Sequence, residues 1–223
     1  MLTVDKSRIG LLIFDLDGTL ADTIWSIRDG VNMSLKKYGF PERSYEEIRL
    51  AIGNGARELI RLSVPEQVRG DASLVNRVFS GYEEAYGKTF RSCDRCYDGM
   101  LDALTCLRSR GYRIAVLSNK QDAYVKELVK ILLPEGMSEI SMGQTELPRK
   151  PDPTVPLMIA KELGFESSNT AFIGDSEVDI LTGKNAGMLT VGCAWGYRGG
   201  KLLSDVGADT VIDKPSELEK TFL

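Results

Sequence analysis

The sequence predicts an α/β fold, a parallel sheet core that carries an inserted all-α helical cap. Three observations lead there. Short apolar runs of strand length alternate with helical patterns along most of the chain. One long segment, residues 21–95, is helical throughout. Several strand-like runs end abruptly in polar or acidic residues, as strands do where they feed a ligand crevice.

IGLLIF, at 9–14, reads as the first strand. It is apolar without alternation, the pattern of a strand covered on both faces. YRIAVL (112–117), EISM (139–142), TAFIG (170–174), MLTVGC (188–193) and DTVID (209–213) supply the other strands. Helical patterns lie between most of them. Residues 100–109 place Leu101, Leu104 and Leu107 on one face, and 122–133 place Val125, Leu128, Val129 and Leu132 together. Residues 154–163 and 178–186 read likewise. Strand–helix–strand repeats of this kind form a parallel sheet with helices on both faces.

The segment 21–95 breaks the alternation. Ile24, Ile27, Val31, Leu35 and Tyr38 recur every three or four residues. Leu74, Val75, Val78, Phe79, Tyr82 and Tyr86 do the same, and short helices at 45–51 and 55–62 flank a GNG turn at Gly53–Gly55. Both ends of the segment return to the sheet domain, so it is expected to sit there as a lid. The expected division is a Rossmann-like core of residues 1–20 plus 96–223 and a helical cap of residues 21–95.

Composition narrows the chemistry. The chain has 223 residues, 43% hydrophobic and 27% charged, with a net charge of −4. No acidic or basic block supports a nucleic-acid or membrane partner. No apolar run is long enough to span a bilayer, and the N-terminal MLTVDKSR lacks the form of a signal peptide, so the cytoplasm is the expected compartment. The chain contains no histidine. That excludes histidine triads, histidine phosphotransfer and histidine-ligated zinc, and leaves proton transfer to carboxylate, Lys, Tyr or Cys. Cys93 and Cys96 have knuckle spacing, but no second CxxC accompanies them, so Cys93, Cys96, Cys106 and Cys193 are expected to be reduced and metal-free.

The strand ends carry the chemistry. Asp15 and Asp17 follow the first strand with i, i+2 spacing, which would aim both carboxylates to one side. Gly18 permits a sharp turn after them. Two adjacent carboxylates repel, and a hard cation such as Mg²⁺ is the usual remedy. An ordinary Asp-Gly turn with solvated acids remains open for this motif taken alone. Ser118, Asn119 and Lys120 close the second strand, where the hydroxyl and the amide can donate to phosphate oxygens or the segment can be a capping turn. Lys150 lies in RKPDP, where two prolines stiffen the chain around it; a surface lysine is the alternative. Asp175 and Asp179 follow the run ending at Gly174, one helical turn apart, as site acids or plain helix starters. Four such motifs, each at a strand end of one sheet, converge on a metal-and-phosphate site.

These residues, in this order, resemble the haloacid dehalogenase superfamily. DLDGT (15–19), LSN (117–119), Lys150 in KPDP and GDSEVD (174–179) match its four signatures, and the match spans nearly the whole chain. Within it the chain looks most like the phosphoglycolate phosphatase group, through SNK, GDSEVDILTGKNAGM, WGYRGG and GADTVIDKPSEL. CYDGM at 96–100 departs from the Tyr-Pro-Gly-Val usual there. The resemblance implies that Asp15 is a nucleophile forming an aspartyl-phosphate and that Asp17 is the acid and base. It implies Mg²⁺ held by Asp15, the backbone carbonyl of Asp17 and Asp175, with Asp179 acting through water or from behind. Gly18, Thr19, Ser118, Asn119 and Lys150 would bind the phosphoryl group. Gly53, Asn54 and Arg57 would form the cap tip, with Arg57 on a substrate carboxylate or merely on the helix surface.

The expected function is hydrolysis of a small phosphorylated metabolite, phosphoglycolate favoured, by a monomer or homodimer. A phosphomutase or pyrophosphatase on the same fold, or a non-catalytic phosphate-binding regulator, are the alternatives. Halide and phosphonate cleavage fit poorly, because Asp17 supplies an acid that such enzymes of the superfamily lack.

Overall fold

The structure is a computed structural model that describes residues 8–93 and 95–222. The first seven residues, which hold most of the N-terminal stretch considered above as a signal peptide, lie outside the described residues. In chain order the elements begin with strand β1 (Leu11–Phe14) and four helices, α1 (Ile24–Lys37), α2 (Tyr45–Ala51), α3 (Ala56–Ser63) and α4 (Ala72–Thr89). Then come α5 (Met100–Ser109), β2 (Arg113–Gln121), α6 (Asp122–Leu132), β3 (Ile140–Gln144), α7 (Thr154–Glu162) and β4 (Thr170–Gly174). The chain closes with α8 (Glu177–Asn185), β5 (Leu189–Cys193), α9 (Gly200–Val206), β6 (Thr210–Ile212) and α10 (Glu217–Phe222).

Contacts divide the chain into two compact units, with the breaks after Asp22 and before Arg95. The larger unit is the α/β part. Its six strands run parallel in the order β3-β2-β1-β4-β5-β6. The chain winds outward from β1 to β3, then returns to the other side of β1 to lay down β4. That reversal makes the carboxyl ends of β1 and its neighbours the place where a crevice can open. Leu11 and Ile13 of β1, Ala115 and Leu117 of β2 and Phe172 of β4 face Val155, Ile159 and Ala160 of α7 in one buried cluster. Their i, i+2 spacing is the strand alternation.

The smaller unit is all-helical, and α1 and α4 form its main pairing. Val31, Leu35, Val78 and Tyr86 are buried in it. Ser34 donates its hydroxyl to the carbonyl of Val78 at 2.7 Å, which joins the two helices. Ser44 and Glu47 form a reciprocal capping box that starts α2.

Several expectations are adjusted. Leu101 is 38% exposed, and α5 packs through Met100, Ala103, Leu104 and Leu107 instead. Strand β2 continues past the apolar run to Gln121, because its polar end still pairs with β3 after a register shift between Leu117 and Gln121. Helices α9 and α10 were not foreseen. They bury only Leu203, and Leu218 with Phe222, too few residues to show a period. Among the described residues no helix is long and apolar enough to cross a membrane.

Candidate active site

The apolar run of β1 delivers Asp15 to the carboxyl edge of the sheet, where its N–H still donates to Ile173 of β4 at 2.9 Å. Beyond it the chain turns on the carbonyl of Leu16, which accepts from the N–H groups of Leu20 at 3.0 Å and Ala21 at 3.2 Å. Gly18 makes the turn possible. Its φ is +83°, and a Cβ there would fall 2.4 Å from Asp175 Oδ2. No other residue satisfies both conditions.

Three carboxylates and one ammonium meet at this edge. Lys150 Nζ donates to Asp15 Oδ1 at 2.7 Å and to Asp179 Oδ1 at 2.6 Å. Asp175 accepts the N–H of Tyr197 on Oδ2 at 2.7 Å and the hydroxyl of Thr19 on Oδ1 at 3.2 Å. Asp179 is the third residue of α8 and accepts the N–H and hydroxyl of Ser176, the N-cap, at 3.1 and 2.6 Å. Lys150 is fixed through its backbone: Asn119 accepts its N–H at 2.9 Å and donates to its carbonyl at 3.0 Å. The Lys150–Pro151 peptide bond is cis.

The other expected site residues take these protein partners. The amide of Asn119, anticipated on phosphate, brackets Lys150. The hydroxyl of Thr19 turns to Asp175. The carboxylate of Asp17 is not in the acidic cluster: β1 ends at Phe14, so strand alternation no longer governs residue 17 after the turn at Leu16. It accepts instead from Lys120 Nζ, at 2.8 Å on Oδ1 and 2.9 Å on Oδ2. Ser118 is buried on β2. Gly53, Asn54 and Arg57 belong to the helical unit, where Arg57 donates to Asn76 and lies over the Phe79 ring.

The charges are unbalanced. Burial first, then the carboxylates of Asp179 and Asp17, push Asp15 up to about 7 against the pull of Lys150. Burial likewise drives Asp175 well above the usual carboxylate range, with Asp179 and Asp15 adding to it. Burial works to lower Lys150, yet the adjacent Asp15 and Asp179 outweigh it and the ammonium is held charged. Three buried acids therefore face a single cation. Asp15, Asp175 and Asp179 each offer an oxygen within 4.8 Å of the others. An all-oxygen donor set with surplus negative charge suits a hard divalent cation. The buried thiol of Cys193 is pushed up by burial and by the same acids, which makes it a poor nucleophile.

Residues 12–193 match the family model of haloacid dehalogenase-like hydrolases. The chain belongs to this family. This hydrolase is 31% identical over 212 residues to phosphoglycolate phosphatase 1 of Pseudomonas aeruginosa, covering 93% of this chain and 78% of the relative. It is 31% identical over 218 residues to a phosphoglycolate phosphatase of Nitrosospira multiformis, covering 96% and 95%. A crystal structure of a predicted phosphoglycolate phosphatase from Haemophilus somnus superposes with a TM-score of 0.88 at 25% identity, covering both chains fully. This hydrolase is thus a phosphoric monoester hydrolase of the phosphoglycolate phosphatase-like kind.

One contact in the site of the hydrolase is not written in its sequence. The Tyr197 N–H on Asp175 is a backbone contact between residues 22 positions apart, and no side-chain pattern announces it. Lys120 was legible. Its place at the end of the second strand could be read from LSNK, but its partner Asp17 lies 103 positions away, which no local pattern records.

Proposed function

We propose that this hydrolase cleaves a small organic phosphate monoester, phosphoglycolate favoured, with Mg²⁺ as its metal, in the cytoplasm. The observation that carries the reading is the convergence of Asp15, Lys150, and Asp175 with Asp179 from three separate chain segments on one buried cluster. The donor set fits Mg²⁺, which Asp15, Asp175 and the backbone carbonyl of Asp17 would hold, with Asp179 behind them. When bound, the ion supplies positive charge that offsets the buried acids and the phosphoryl oxygens.

In this reading an oxygen of Asp15 attacks phosphorus as the bond to the leaving oxygen breaks, and Asp17 gives that oxygen its proton. Water then attacks the aspartyl-phosphate, Asp17 takes the water's proton, and phosphate leaves. Lys150, held by Asn119, and Ser118 would neutralise the equatorial oxygens, where charge spreads in the transition state. Thr19 would act on Asp175 rather than on phosphate. We assign substrate selection to the helical unit, with Gly53, Asn54 and Arg57 as its candidates.

The test is phosphate release from a panel of small phosphoesters, with and without Mg²⁺. Metal-dependent turnover that falls by at least about 10⁴-fold in Asp15→Asn is expected. Turnover that survives Asp15→Asn refutes the nucleophile assignment. Scant phosphate release, with phosphate passed to a second hydroxyl, would instead mark a mutase.

A further inference from the structure

Lys120 does work that the scheme above leaves unassigned. Its ammonium grips both oxygens of Asp17, at 2.8 and 2.9 Å. The lysine side chain is 6% exposed and its partner 13%, so the pair is sheltered from water. A sheltered ion pair is a weak source of stability, since desolvation cancels most of the attraction. Its geometry is nevertheless built with care.

The register shift between β2 and β3 covers residues 118–120, the kind of irregularity that re-aims side chains beside active sites. Gly143 of β3 lets the two strands close at that point. A Cβ on it would fall 2.4 Å from the Lys120 carbonyl oxygen and 2.6 Å from the Asp122 Cα. Its N–H donates to the Asp122 carboxylate at 2.9 Å, which pins the chain just past Lys120. Backbone and neighbours thus dictate where Lys120 points, and it points at Asp17.

We infer that Lys120 is a positioning residue that acts through Asp17, fixing the direction from which Asp17 passes a proton to the leaving oxygen. The inference rests on the reading of Asp17 as acid and base. A group that passes a proton must lie within hydrogen-bond reach of the accepting atom. A carboxylate at a turn, free to rotate, meets that condition only part of the time. The ammonium removes the rotation by holding both oxygens. It also remains as the counter-charge of the carboxylate that Asp17 becomes once its proton has gone to the leaving oxygen, and keeps its hydrogen bonds to the carboxyl group when water's proton returns.

A proton donor matters most when the leaving group is a poor one. The test therefore compares two probes, phosphoglycolate with its alkoxide leaving group and 4-nitrophenyl phosphate with its stable phenolate. In Lys120→Met, kcat for phosphoglycolate is expected to fall about 10²-fold, the range for loss of an aligned acid. The nitrophenyl ester should lose only a few-fold, KM should change little, and Lys120→Arg should recover most of the loss. In an Asp17→Asn background, Lys120→Met should add almost nothing, because the two residues act as one unit. Equal losses for both esters, or an undiminished cost in the Asp17→Asn background, overturn the inference while leaving the phosphatase reading intact. A wild-type protein that releases phosphate from neither ester overturns both. If circular dichroism shows Lys120→Met unfolded, Lys120→Gln and Lys120→Arg carry the same comparison.

Discussion

The state of Asp15 depends on what surrounds it. Burial and neighbouring acids raise it from 3.8 to about 7. Between those values the folded, metal-free protein keeps a proton that the unfolded chain has lost. The stability this contributes is complete below about 4 and disappears as pH rises through 7. A divalent cation must displace that proton, so its binding strengthens over the same interval. The thermal shift produced by Mg²⁺ should therefore grow between pH 5.5 and pH 8. Asp15→Asn should flatten that growth. A shift of constant size across the interval in the wild type would contradict the assignment of Asp15 as a ligand.

Two helix starts use the same device for different ends. Ser44 caps α2 and Ser176 caps α8, each in a reciprocal box with the acid three residues on. Replacement of either by Ala should cost about 1 kcal/mol, measured by urea unfolding. Only Ser176→Ala should also weaken Mg²⁺ binding and slow turnover, since its hydroxyl orients Asp179, which in turn holds Lys150. Ser44→Ala should leave kcat unchanged. Equal effects of the two on turnover would mean that Asp179 needs no such support.

For the whole molecule the sheet comes first, since every strand end in the site depends on the packing beneath it. Ile159 of α7 is fully buried in the cluster that joins that helix to β1, β2 and β4. Ile159→Ala removes contacts and leaves a cavity, at an expected cost of about 2–5 kcal/mol in urea unfolding. A cost under 1 kcal/mol would show that the helix does not secure the sheet. With Mg²⁺ as the proposed ligand of the folded state, saturating Mg²⁺ should return part of the loss by mass action.

The sequence by itself determined the class of fold, the helical segment and the chemical identity of the cluster. These rest on local periodicities and on residue types, both written directly in the chain: unbroken apolar runs for buried strands, a three-to-four spacing for α1 and α4, acids and a lysine at strand ends. Only the tertiary structure decided partners. It set the Asp17 carboxylate on Lys120 and outside the cluster of Asp15, Asp175 and Asp179, turned Asn119 onto the Lys150 backbone and sent Thr19 to Asp175. Each pairing joins side chains far apart along the chain, and its geometry is set by turns, a register shift and the order of strands. Local pattern carries no record of those distances, because they exist only once the sheet has brought the ends of its strands together.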